Sequence, residues 1–195
     1  MIDRYANLAD NQHFGKNTII RGFPGAGKTW CMQYILLYAI SKGLNVITTA
    51  IMAKRAMFLG GKHWHYLLCI PPMKKDFSMH RTAELAICKL LSDPVKLNLI
   101  RTCDIIGADE MGQLDDTFMG IVDIIFRQIR GSDLYLGGIK ILGTLDHTQI
   151  QPVQGRPFLT SIHLLTSFKV CELRTSVRAS NDDNWKRIQE IARFS

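Results

Sequence analysis

The stretch Gly22-Phe23-Pro24-Gly25-Ala26-Gly27-Lys28-Thr29 constrains this chain more than any other. It reads GxxxxGK[ST], follows the short apolar run Thr18 to Arg21, and opens an apolar segment that reaches Ile40 and stops at Gly43. Phosphate chemistry dictates those residue types. Glycines let backbone N–H groups wrap a phosphate, an ammonium at Lys28 neutralises β/γ-phosphate charge, and the Thr29 hydroxyl can ligate Mg²⁺. Such a loop works between a strand and a helix. Gly22, Pro24, Gly25, Ala26, Gly27, Lys28 and Thr29 are therefore the expected nucleotide-binding residues.

The rest of the chain repeats this strand and helix alternation. Apolar runs at Val46 to Thr49, Asp104 to Ala108, Ile139 to Gly143 and Lys169 to Leu173 predict further strands. Ala83, Ala86, Ile87 and Leu90 mark one helix between them, and Phe118, Ile121, Val122, Ile125 and Ile129 form a 3.6-period stripe that marks another. Ser180 to Asp183 can cap a last helix carrying Trp185, Ile188 and Ile191. The segment after Lys28 is apolar nearly all round, which predicts a fully buried helix. Alternating elements imply crossover connections. The expected fold is a P-loop α/β domain, a parallel sheet flanked by helices on both faces, with ligands at the C-terminal ends of its strands.

The strand Asp104 to Ala108 ends in Asp109-Glu110. A carboxylate at a neighbouring strand tip can hold the Mg²⁺ shell, and an adjacent one can orient and deprotonate an attacking water. Asp109 is assigned to the metal and Glu110 to the water. A small-molecule kinase needs no water-activating glutamate, and no lid-like arginine cluster or NKxD-type guanine-reading motif is visible. ATP hydrolysis coupled to movement is the leading class. A P-loop module that binds nucleotide and regulates or assembles with a partner stays open beside it.

Composition sets outer bounds. The 195 residues are 47% hydrophobic and 21% charged, enough to bury a core and short of two large lobes. Five scattered cysteines without a CxxC pair argue against a disulfide framework or zinc ribbon and for a reducing compartment. His63, His65, Cys69 and His80 match no metal-ligand spacing. The start of the chain has no apolar core, and the longest apolar stretch, Tyr34 to Ile40, is far short of the ~20 residues a membrane span needs. The expectation is a soluble intracellular chain without a membrane partner. Its net charge of +7 suits a polyanion partner, and Lys74-Lys75 form a basic loop after Pro71-Pro72.

After Ile139 to Gly143 comes Thr144-Leu145-Asp146-His147-Thr148-Gln149-Ile150-Gln151-Pro152-Val153. Polar groups at this third strand tip can sense a γ-phosphate, and Gln149 can hydrogen-bond it or its water. With Gly137-Gly138 ahead of the strand, this stretch resembles the GDxxQLPPV motif of PIF-like superfamily 1 DNA helicases, especially the Helitron-transposon branch. Asp146, Gln149, Pro152 and Val153 match; Leu145 and Gln151 depart from the family's Gly and first Pro. The resemblance runs from about Leu8 to the end and implies a RecA-like lobe. Within it Gln12 resembles the adenine-reading glutamine, with a shorter spacing to Gly22.

Thr48 to His65 is similar to the family's single-strand-binding segment, TGxAA…GGxTxH, which implies Thr49, Lys62 and His65 as phosphate contacts and Trp64 or Phe58 as a base platform. Arg178, in Leu173 to Arg178, resembles the arginine that reaches the γ-phosphate. Such helicases place ATP between two RecA-like lobes. The chain ends at Ser195, shortly after Arg178, so residues 1–195 are expected to form the first lobe alone, with single-stranded DNA and a second lobe, in cis or trans, as partners.

Overall fold

The computed structural model describes residues 17–72, 77–146 and 155–174, together with Asn184 and Arg187. Six strands form one sheet: β1 (Asn17–Gly22), β2 (Val46–Ala50), β3 (Lys62–His63), β4 (Ile105–Asp109), β5 (Lys140–Leu145) and β6 (Phe168–Leu173). Their order is β3-β2-β4-β5-β1-β6, and every pairing is parallel. The five predicted strands are present within one to two residues at each end. β3, only two residues long, carries too little pattern to be seen in a sequence.

Parallel strands covered on both faces show apolar pairs in succession, because neighbouring side chains point to opposite faces. Ile19-Ile20, Ile105-Ile106 and Ile141-Leu142 are such pairs. Ile20, Ile105 and Leu142 pack with Met32, Ile35, Leu36 and Ala39 of helix α1 (Lys28–Ser41). Ile19, Ile106 and Ile141 belong to the larger core on the other face.

That core is built by α4 (Met79–Leu91), α5 (Pro94–Thr102) and α6 (Asp116–Arg130), with the short helices α2 (Ala53–Phe58), α3 (Trp64–Leu67) and α7 (Ile162–Ser167) completing the described set. The expected α6 stripe Phe118, Ile121, Val122, Ile125 and Ile129 is buried throughout. The Asp115 side chain caps α6 by accepting from the Phe118 N–H at 2.6 Å. Arg130, in its last turn, donates to the Cys103 carbonyl at 2.6 Å and to those of Ile100 and Arg101, satisfying the end of α5.

Two sequence expectations need correction. Helix α1 is not buried all round: Trp30 and Leu37 are 67% and 65% exposed. A single helix laid on a sheet buries one stripe, and no other described element packs over its outer side. The acidic strand also does not neighbour the phosphate-loop strand, because β5 lies between β4 and β1. The predicted last helix falls outside the described residues except for Asn184 and Arg187, which are helical.

The segment read as DNA-binding contributes to the core as well. Thr49 is fully buried, its Oγ1 without a hydrogen-bond partner among the described residues, whereas Thr48 donates to the Leu59 carbonyl at 3.1 Å. Trp64 has no solvent exposure and meets Phe118 edge-on at 6.1 Å. Neither side chain is available to a nucleic acid, which corrects both assignments. The pleat turns Thr49 inward, and α3 directs Trp64 toward α6. Gly61 holds this turn against the sheet: a Cβ there would lie 2.0 Å from the Thr48 carbonyl oxygen. Trp64→Ala should therefore lower the unfolding free energy by about 3–5 kcal/mol in urea denaturation. A variant as stable as the parent that has lost DNA affinity would restore the base-platform reading.

Candidate nucleotide site at the strand tips

A cleft of about 370 Å³ opens where β1, β4 and β5 end. Pro24, Gly25, Gly27, Lys28 and Thr29 line it from the phosphate loop, Asp109 and Glu110 from β4, and Thr144 and Asp146 from β5. Gly22 and Ala26 lie beneath, buried, with the Ala26 N–H donating to the Phe23 carbonyl at 3.1 Å. Gly27 is the N-cap of α1 at φ 82°, a left-handed conformation that glycine adopts without strain. It has no side chain to cap the first turn, so the helix start is left open to an anion.

Lys28 spends all three ammonium donors inside the cleft: on the carbonyls of Gly22 at 2.7 Å and Phe23 at 2.8 Å, and on Asp146 Oδ2 at 2.9 Å. The loop strand and the third strand tip are thereby tied together. One helical position on, Thr29 Oγ1 lies 3.2 Å from Asp109 Oδ1. The first turn of α1 reaches across β5 to the acidic strand, so the intervening strand does not separate the two oxygen donors assigned to the metal. A hydroxyl beside a carboxylate that is 1% exposed is a hard oxygen pair of the kind Mg²⁺ takes.

Thr144 sets both acidic residues. The register Ala108↔Gly143 brings it beside Asp109, and its hydroxyl donates to Asp109 Oδ1 at 2.5 Å while accepting from the Glu110 N–H at 3.0 Å. Glu110 sits at φ 58°, ψ 43°, a left-handed conformation that costs a non-glycine residue roughly 1–2 kcal/mol. Strain of this kind gathers at functional sites when the surroundings enforce it. The Glu110 carboxylate accepts from Arg55 Nε at 2.9 Å and from Gln113 Nε2 at 3.3 Å.

Arg55, Gln113 and the clamping role of Thr144 were not legible in the sequence. Thr144 is a polar residue at the end of an apolar strand, but only the strand order shows what stands beside it. Of the remaining assigned residues, Lys62 is exposed, with its ammonium 5.8 Å from the Tyr66 ring centre, and His65 is half-buried between His63 and Phe118. Phe58 is 68% exposed and lines the cleft mouth. Gln12, Gln149 and Arg178 lie outside the described residues, as do Lys74, Lys75, Pro152 and Val153. Among the described residues no helix is long and apolar enough to cross a membrane.

Burial, and secondarily the neighbouring His63, hold the His65 imidazole below its ordinary value of 6.5, with Asp115 opposing. His65 is thus neutral in the fold near pH 7. The unfolded chain binds its proton first, so the stability His65 contributes is present above about 6.5 and lost as pH falls through the lower folded value. Cooling to a common temperature and titrating from about pH 7.5 to about 5.5, the parent should lose stability relative to His65→Gln; a constant difference between them would contradict a buried neutral imidazole.

Residues 4–195 match the PIF1-like helicase family. An ATP-dependent DNA helicase Pif1 of Psychrobacter sp. is 26% identical over 188 residues, which are 92% of this chain and 28% of that protein. The ATP-dependent DNA helicase PIF1 of Xenopus laevis is 25% identical over 191 residues, with the same two shares. The chain thus spans little more than a quarter of these relatives. Its fold is that of the crystal structure of Pif1 helicase from Candida albicans, with a TM-score of 0.81 at 18% identity over 96% of this chain and 43% of that one. Bacteroides Pif1 bound to ssDNA superposes with a TM-score of 0.75 at 20% identity, over 97% and 45%.

Proposed function

Since the chain belongs to the PIF1-like helicase family, we propose that residues 1–195 form the first RecA-like lobe of an ATP-dependent DNA helicase, one that binds and hydrolyses Mg-ATP and contacts single-stranded DNA. The observation that carries the proposal is the convergence of Lys28, Thr29, Asp109, Glu110, Thr144 and Asp146 in one cleft, where Lys28 bonds Asp146 and Thr29 bonds Asp109. Three carboxylates against Lys28 and Arg55 leave room for a cation. Thr29 and Asp109 would hold Mg²⁺, and a metal bound there neutralises charge on the β- and γ-phosphate oxygens.

In the proposed reaction the phosphate loop and the start of α1 bind the phosphates, and the Lys28 ammonium exchanges its carbonyl contacts for phosphate oxygens. Glu110 orients a water and takes its proton as the terminal phosphoryl group is transferred. Thr144 holds the Glu110 backbone while this happens. Gln149 and Arg178 are proposed to sense and stabilise the γ-phosphate, and Gln12 to read adenine. Lys62, His65 and the exposed Phe58 remain the proposed DNA contacts, the last as a base platform in place of Trp64.

The relatives' greater length supports a second lobe supplied from outside residues 1–195, and unwinding is proposed for the two lobes together. The Helitron-type affiliation is part of the same proposal, as is a reducing intracellular compartment, which the five scattered cysteines without a CxxC pair support. Turnover by the lobe alone should be slow, because the cleft stays open to water. Single-stranded DNA should raise its ATP hydrolysis. Lys28→Ala should abolish nucleotide binding with the circular dichroism spectrum unchanged, and Glu110→Gln should keep ATP bound while cutting turnover by roughly 100-fold or more. Nucleotide binding with a hydrolysis rate indifferent to DNA would favour a regulatory nucleotide-binding module instead.

A further inference from the structure

Arg55 has no step in the reaction proposed above, yet it makes the shortest described contact to the side chain assigned to water activation. Its Nε lies 2.9 Å from Glu110 Oε1 and 4.0 Å from Asp109 Oδ2. With Gln113 on Oε2, both oxygens of the Glu110 carboxylate are engaged by donors of the protein. A carboxylate held in this way is a weaker acceptor of a proton from water, because the guanidinium stabilises its charged form and one acceptor site on each oxygen is occupied.

The location of Arg55 matters as much as its contact. It lies on α2, the six-residue helix that leads from the tip of β2 to Gly60-Gly61 and β3, inside the segment proposed to meet DNA. The Arg55 side chain is 41% exposed, against 11% for Glu110. One side of the guanidinium therefore faces the cleft while the rest is accessible from solvent; Lys54 on the same helix and Lys62 beside the β2 tip are exposed as well. Guanidinium groups bind phosphate and carboxylate with the same planar fork, so a backbone phosphate of a bound strand competes with Glu110 for one cation.

We propose that Arg55 is a latch that couples strand occupancy to hydrolysis. Without nucleic acid it holds Glu110 in an ion pair and suppresses water activation; a DNA phosphate that draws the guanidinium away frees the carboxylate. The phosphate shifts this equilibrium because it binds Arg55 only in the released position. Arg55 is in this sense a positioning residue acting through Glu110, and the proposal rests on the role given to Glu110 above.

Single-turnover ATP hydrolysis by the full chain, with and without oligo(dT), tests it in the parent, Arg55→Gln, Arg55→Lys and Glu110→Gln. Losing a partly exposed ion pair should raise the DNA-free rate of Arg55→Gln roughly fivefold. Its stimulation by DNA should shrink by a similar factor, both rates being read at saturating Mg-ATP. Arg55→Lys keeps a cation within reach and should fall between the two. A DNA-free rate in Arg55→Gln that is equal to or below the parent's overturns the latch, and so does an undiminished stimulation ratio. Glu110→Gln separates the two layers: full turnover in that variant removes the premise, whereas an inactive Glu110→Gln beside an unchanged Arg55→Gln removes the latch alone.

Discussion

The ion pair between Lys28 and Asp146, 2.9 Å long and almost wholly shielded from water, is the interaction on which the site depends. Neither charge could sit there alone, because an unpaired buried ion costs several kcal/mol. Their pairing draws the phosphate loop at the end of β1 onto the tip of β5. It also fixes the orientation of α1, whose next residue, Thr29, then reaches Asp109. Three strand tips are joined through two consecutive side chains of one helix. A phosphate entering this cleft meets an ammonium that is already placed and partly desolvated, so little reorganisation is left to the moment of binding.

Behind that contact stands a second constraint, the strand order. Because β5 separates β1 from β4, its last residues look both ways: Asp146 toward Lys28, and Thr144 toward Asp109 and the Glu110 backbone. The left-handed backbone at Glu110 is held by Thr144, whose hydroxyl accepts from its N–H, and by the Gln113 N–H, which donates to its carbonyl at 3.2 Å. The geometry of the cleft is thus a property of the packed sheet. No single loop supplies it.

This explains what could and could not be read from the chain beforehand. Lys28, Thr29 and the Asp109-Glu110 pair were legible because phosphate and metal chemistry demand those residue types next to a strand end, and the apolar runs of β1 and β4 marked the strand ends. The i, i+3, i+4 stripe of α6 was legible for the same local reason. Thr144 and Arg55 act on neighbours 34 and 55 positions away, and only the lateral order of strands decides who those neighbours are. Thr49 and Trp64 were misplaced because a matching motif does not say which way a side chain points: the β2 pleat turns Thr49 inward, where a one-residue shift would reverse it, and Trp64 on α3 packs against Phe118. Thr48, the adjacent threonine, is the one that reaches the Leu59 carbonyl at the sheet edge.

The proposed chemistry of the cleft requires that Thr29 and Asp109 share a divalent ion with a bound nucleotide. Anomalous scattering from Mn²⁺, in crystals grown with a non-hydrolysable ATP analogue, tests this directly. The expected peak lies about 2.1 Å from Thr29 Oγ1 and touches the Asp109 carboxylate directly or through one water, with Lys28 turned from the Gly22 and Phe23 carbonyls to the phosphates. Nucleotide density in the cleft with manganese elsewhere, bound to neither Thr29 nor Asp109, would contradict it.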